Sequence, residues 1–141
     1  MIEAATAAGI KTMSELVLLS KYEKFLKYMD PILQQIPKQK SNLRDNTEDL
    51  LLAQVELLYG AVMSGTPSRI NAADSGLAAI RFRLRYLSSV KFTRTVITKT
   101  EGAEKKRRRK SYLMSRNSAA TAEVILAETG CIIGSMKKGK Q

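Results

Sequence analysis

The chain contains no histidine at all, a single cysteine and three prolines. Without histidine, the commonest general base and metal ligand are missing, as is every Ser/His or Cys/His nucleophile pair. No glycine loop suited to cradling phosphate and no closely spaced carboxylate motif takes their place. An enzyme would need Asp49, Glu56 and Asp74 to converge, so no catalytic residue, metal or cofactor is expected. The lone Cys131 has no internal disulfide partner, which fits a reducing, cytoplasmic compartment. Its neighbours Thr129, Gly130, Ile132 and Ile133 look like a helix interior, so it is read as a small core residue. No uninterrupted apolar run reaches the roughly 18 residues of a membrane span. The run Leu16 to Leu19 is too short for a signal-peptide core. A soluble, unprocessed protein without a membrane partner is expected.

What is present is globular: 141 residues, 44% hydrophobic and 26% charged, enough for one domain over 1–141 with its own core. The net charge is +11. Thirteen bases and two acids lie between Arg81 and Arg116, so that segment alone accounts for the excess and the rest of the chain is neutral. The basicity is local.

Hydrophobic spacing predicts an all-α protein, an antiparallel up-down four-helix bundle with helices near 13–36, 43–64, 67–90 and 118–137. Thr12-Met13-Ser14-Glu15 forms a capping box. Leu19, Tyr22, Leu26, Met29, Leu33 and Ile36 then mark one face, continuous in phase across Pro31, where a kink is expected. In the second helix Leu51, Val55, Leu58 and Val62 make a stripe that Leu52 and Tyr59 widen. Gly65-Thr66-Pro67 supplies a glycine stop, a hydroxyl cap and a proline start, hence a tight antiparallel turn. Ile70, Ala73, Leu77, Ile80, Leu84 and Leu87 give the third helix a heptad seam. The fourth opens near Asn117-Ser118 and presents Ala122, Ile125, Thr129, Ile132 and Met136, with Gly130 and Gly134 spaced for close helix contact and a frayed lysine-rich end.

Helical periodicity stops across 91–116. KFTRTVITKT alternates like a strand, and Glu101-Gly102-Ala103 either turns it into a hairpin with the following basic run or belongs to an irregular basic loop. Lys105, Lys106, Arg107, Arg108, Arg109 and Lys110 are the densest charge in the chain, suited to phosphate neutralisation with counterion release. Lys91, Arg94 and Arg116 extend that basic segment. Phe92 and Tyr112 flank it, either to stack on bases or to anchor the segment to the bundle. Arg81 and Arg85, four apart, share a helix face, and Arg83 lies roughly opposite. No zinc pattern, helix-turn-helix or RNA-recognition signature is visible, so binding is expected to follow backbone or shape.

Four stretches in order, YEKFLKYMDPILQQIP, AQVELLYG, NAADSGLAAIRFRLRYLSS and TAEVILAETGCIIGSM, span most of Tyr22 to Met136. Together they resemble the accessory variability determinant proteins of diversity-generating retroelements, encoded by bacteria, archaea or phages. The resemblance implies a four-helix bundle assembled as a homopentameric ring without catalytic activity. It also implies partners, namely the element's reverse transcriptase, RNA and DNA, in the mutagenic copying of a template repeat into a variable repeat. Arg81 and Arg85 match the family's basic positions. The segment 91–116 departs from it, being longer and far more basic than the equivalent loop. A related set of four-helix proteins, encoded within intervening sequences of bacterial large-subunit ribosomal RNA genes, shares the fold. It supplies the alternative function, an RNA-binding protein with no polymerase partner.

Overall fold

The computed structural model describes residues 13–100 and 102–139. The chain is mostly helical, with helices α1 (Met13–Gln34), α2 (Ser41–Ser64), α3 (Pro67–Ser89) and α4 (Arg116–Gly139). A two-stranded sheet, β1 (Lys91–Thr100) and β2 (Ala103–Tyr112), is inserted between α3 and α4. Each helix packs on two neighbours in a closed circuit, α1 on α2, α2 on α3, α3 on α4 and α4 on α1, as in a helical bundle.

The joints follow from local chemistry. α1 runs through Pro31 as one helix and does not restart there. It ends two residues before the expected position 36 because Gln35 and Ile36 donate to the carbonyls of Ile32 and Leu33, three residues back, which tightens the last turn. Pro37 leads into a 3-10 turn over Lys38–Lys40, and α2 starts at Ser41, earlier than residue 43. Gly65 closes α2 in the left-handed region (φ 62°), its N–H donating to the Ala61 carbonyl at 2.9 Å. Pro67 opens α3 as expected, but the Thr66 hydroxyl does not cap it and lies 3.4 Å from the Ser64 and Ser68 hydroxyls. α4 begins at Arg116, not 118, because Ser115 rather than Asn117 caps it: the Ser118 N–H donates to Ser115 Oγ at 3.0 Å. Its end is not frayed at Lys137, whose ammonium meets Asp74 at 2.6 Å, and the helix runs two residues past 137. The Thr12 cap lies outside the described residues.

One core joins the four helices. The α3 seam is buried as expected, Ile70, Ala73, Leu77, Ile80, Leu84 and Leu87 all being covered. On the other faces Tyr22, Met29, Leu33 and Ile36 of α1, Leu51, Leu58 and Val62 of α2 and Ala122 and Thr129 of α4 are buried as expected, and the remaining positions differ. In α1, Leu18 and Phe25 are buried while Leu19 and Leu26 are only partly so. In α4 the core is Ala119, Ala122, Leu126, Thr129 and Ile133, and Cys131 is exposed. In α2, Leu52 and Tyr59 point outward, because Thr47 and Gln54 take the core positions.

Those polar residues are tied across helices. Gln54, 2% exposed, donates from Nε2 to the Ala73 carbonyl of α3 at 2.8 Å. Gly76 lies beside it, and a Cβ there would occupy the space of the Gln54 carboxamide. Buried Tyr22 donates its hydroxyl to the Leu51 carbonyl of α2 at 2.5 Å, and desolvation pushes its pKa well above the usual tyrosine value. Gly130 and Gly134 do not mediate close helix contact. Gly134 faces open space, and Gly130 leaves room for the Arg81 guanidinium.

Among the described residues, one helix, Arg116–Lys138, is long and apolar enough to cross a membrane by length and composition. In this fold it buries one face in the core, and its Glu123 and Glu128 pair with Arg85 and Lys21.

Candidate nucleic-acid interface

The segment 91–116 is not an irregular loop. Residues 91–112 form an antiparallel ribbon of ten pairs, from Lys91 opposite Tyr112 to Thr100 opposite Ala103. Gly102 (φ 78°) provides the positive φ that the reversal needs. Threonine and β-branched residues in KFTRTVITKT favour the extended state of β1, which then templates the charged β2. Arg116 belongs to α4, exposed in its first turn.

Among the described residues, the bundle holds the ribbon at its root. The Leu113 N–H donates to the Val90 carbonyl at 3.0 Å, and Gln39 Nε2 reaches the Thr93 carbonyl at 3.5 Å. Phe92 is half-buried against the core and acts as an anchor. Tyr112 is partly exposed beneath the Lys91 ammonium, 5.5 Å from the ring centre, a cation–π contact. Beyond that root, Ala103 to Lys110 are exposed without exception.

Register assigns the charges to two faces, since directly paired residues share a face and neighbours alternate. Lys105, Arg107 and Arg109 lie on one, and Lys106, Arg108 and Lys110 on the other. Arg94 is the register partner of Arg109. Within the ribbon Lys99 is balanced by Glu104 at 3.7 Å, both largely exposed. Nine bases over 91–112 face two acids.

The three arginines of α3 are not one group. Arg85 pairs with Glu123 of α4 at 3.1 Å while its side chain stays 73% exposed, so this link is an exposed ion pair of small worth. Arg81, half-buried, passes Gly130, its Nη1 3.9 Å from where a Cβ would sit. Arg83 turns to the other side and donates to Asn46 Oδ1 at 2.7 Å and Thr47 Oγ1 at 3.1 Å, a structural tie between α3 and α2.

Asp49 and Glu56 lie exposed on α2, and Asp74 is engaged by Lys137. Among the described residues no group of three or more His, Cys, Asp or Glu is arranged to hold a metal. A recess of about 460 Å³ at the ribbon root is lined by Gln35, Gln39, Phe92 and Tyr112, among others, with no carboxylate. The sequence matches no protein-family model and no curated protein.

Proposed function

We propose that this protein is a non-enzymatic nucleic-acid-binding protein that acts in the cytoplasm through its basic ribbon. As the motif resemblance implies, it serves a diversity-generating retroelement, bringing the reverse transcriptase together with template RNA and cDNA. The carrying observation is the ribbon: two exposed rows of three cations on β2, held clear of the bundle, with few acids nearby. A polyanion is the ligand such an array favours, because each phosphate contact releases a condensed counterion.

In this reading four antiparallel up-down helices form the protomer, and five copies close into a ring. Leu52, Tyr59 and Met63 on α2 and Phe82, 69% exposed, and Tyr86 on α3 offer apolar surface for a second copy. Repetition of the ribbon around a ring adds weak contacts through effective concentration. Arg85, loosely paired with Glu123, is open to exchange that partner for an acidic group on the transcriptase, with Arg81 one turn away.

The test is light scattering of the purified protein, followed by co-purification with the transcriptase encoded beside it and titration with RNA and DNA. A closed oligomer that retains the transcriptase, and loses it in a folded Arg81→Ala/Arg85→Ala variant, supports the reading. A monomer that binds neither nucleic acid nor transcriptase refutes it. Preference for a folded RNA without any polymerase partner would favour the ribosomal intervening-sequence alternative.

A further inference from the structure

We infer that the ribbon is a duplex-reading arm that lies in the major groove of B-form DNA, with both of its faces in contact with the nucleic acid. This rests on the nucleic-acid reading above and specifies its mode.

Three observations carry it. The first is size: ten paired residues at about 3.3 Å each give a ribbon of roughly 33 Å, close to one turn of B-form DNA, and the major groove admits a two-stranded ribbon. The second is the placement of charge. A flat surface or a single strand meets only one face of a ribbon, and the opposite row of cations then gains nothing from it. Here Lys105, Arg107 and Arg109 occupy one face and Lys106, Arg108 and Lys110 the other, all exposed. A ribbon seated edge-on in the groove has a phosphate wall beside each of its faces, within reach of the long side chains of both. The third is the distribution of aromatics. Between Thr93 and Ser111 there is none, so the projecting part offers no platform for unpaired bases. The two aromatics are at the root, one serving as an anchor and the other under Lys91.

The charges oppose the ribbon's own stability. Lys105, Arg107 and Arg109 follow one another along one face, as Lys106, Arg108 and Lys110 do along the other, and neighbouring like charges repel. An isolated two-stranded ribbon is already marginal. Phosphates on both sides would relieve this repulsion, so the duplex is expected to order the ribbon. A-form RNA is the poorer host, its major groove being deep and narrow.

The experiment uses the full chain with a labelled duplex DNA of about two turns, the matching RNA duplex and the single strand, across a salt series. Two variants accompany it: Lys105→Gln/Arg107→Gln/Arg109→Gln and Lys106→Gln/Arg108→Gln/Lys110→Gln, with circular dichroism to verify the helices. Duplex DNA should bind tightest, and each variant should lower the slope of log affinity against log salt by roughly 2 to 3. Dimethyl sulfate should find guanine N7, in the major groove, protected and adenine N3, in the minor groove, open. If the protein binds nucleic acid but prefers the RNA duplex or single strand, if only one variant has an effect, or if N3 is the protected atom, the groove mode is wrong while the nucleic-acid reading stands. If no nucleic acid binds, both fall.

Discussion

Gly76 and Gln54 form a close helix-to-helix fit in the core. Gly76→Ala places a methyl group in the space of the Gln54 carboxamide and 3.1 Å from Leu57 Cδ1. The carboxamide must move, abandoning its 2.8 Å hydrogen bond to the Ala73 carbonyl in a site that is 2% exposed. A buried amide left without its partner costs about 1–3 kcal/mol. Replacing glycine by alanine inside a helix returns about 1 kcal/mol, so the net loss in the wild type is roughly 0–2 kcal/mol. In a Gln54→Ala background only the milder approach to Leu57 Cδ1 remains, and most of the propensity gain of about 1 kcal/mol is recovered. The double-mutant cycle should therefore give a coupling of about 1–3 kcal/mol. Urea unfolding at one fixed protein concentration reads it directly, since self-association would otherwise shift apparent stability. In thermal scans each kcal/mol corresponds to roughly 3–4 °C for a chain of this size. If Gly76→Ala stabilises both backgrounds equally, the proposed fit between α2 and α3 is wrong.

Tyr22→Phe removes the hydroxyl that joins α1 to the Leu51 carbonyl and should lower stability by about 1 kcal/mol in chemical unfolding. Because burial raises the Tyr22 pKa in the fold, its stabilising effect is complete below the unfolded value of 10.0 and declines above it. The wild type should then lose up to about 1.4 kcal/mol per pH unit relative to the phenylalanine variant, and parallel pH curves would contradict this. Thr129 is fully buried, and its hydroxyl meets no hydrogen-bond partner among the described residues. Thr129→Val should raise stability by about 1 kcal/mol, and a drop would mean that the hydroxyl is satisfied. Arg83→Ala should cost about 1–2 kcal/mol through its lost bonds to Asn46 and Thr47, whereas Arg85→Ala should cost under about 1 kcal/mol. Equal losses in calorimetry would overturn that division of roles.

The parts of the fold legible from sequence are those where hydrophobicity alone decides which side is buried. In α3 the apolar residues stand among arginines and serines, so every seam position was readable. In α2 the core includes Gln54 and Thr47, which a hydrophobic count ranks below Leu52 and Tyr59. Their burial depends on the Ala73 and Leu43 carbonyls, partners that spacing does not reveal. In α4 the run VILAETGCII is apolar nearly all round, so spacing fixes its phase poorly, and Cys131 lies outside the core rather than in it. The ribbon was half legible: the alternation in β1 signals a strand, but β2 is a charge run with no β signal of its own. Its conformation is imposed by pairing through the Gly102 turn. The basic candidate sites were found by charge density, yet density alone could not separate Arg83, which ties two helices, from Arg85 and the exposed rows of the ribbon.

On the reading proposed above, the ribbon's cations bind phosphates. The most direct measurement is the salt dependence of nucleic-acid affinity for the wild type and for a variant with all six residues from Lys105 to Lys110 changed to glutamine. The wild-type slope should be steep and should fall by about 5 in the variant, with helical content unchanged. A shallow wild-type slope, or one that the six substitutions leave unaltered, would contradict it.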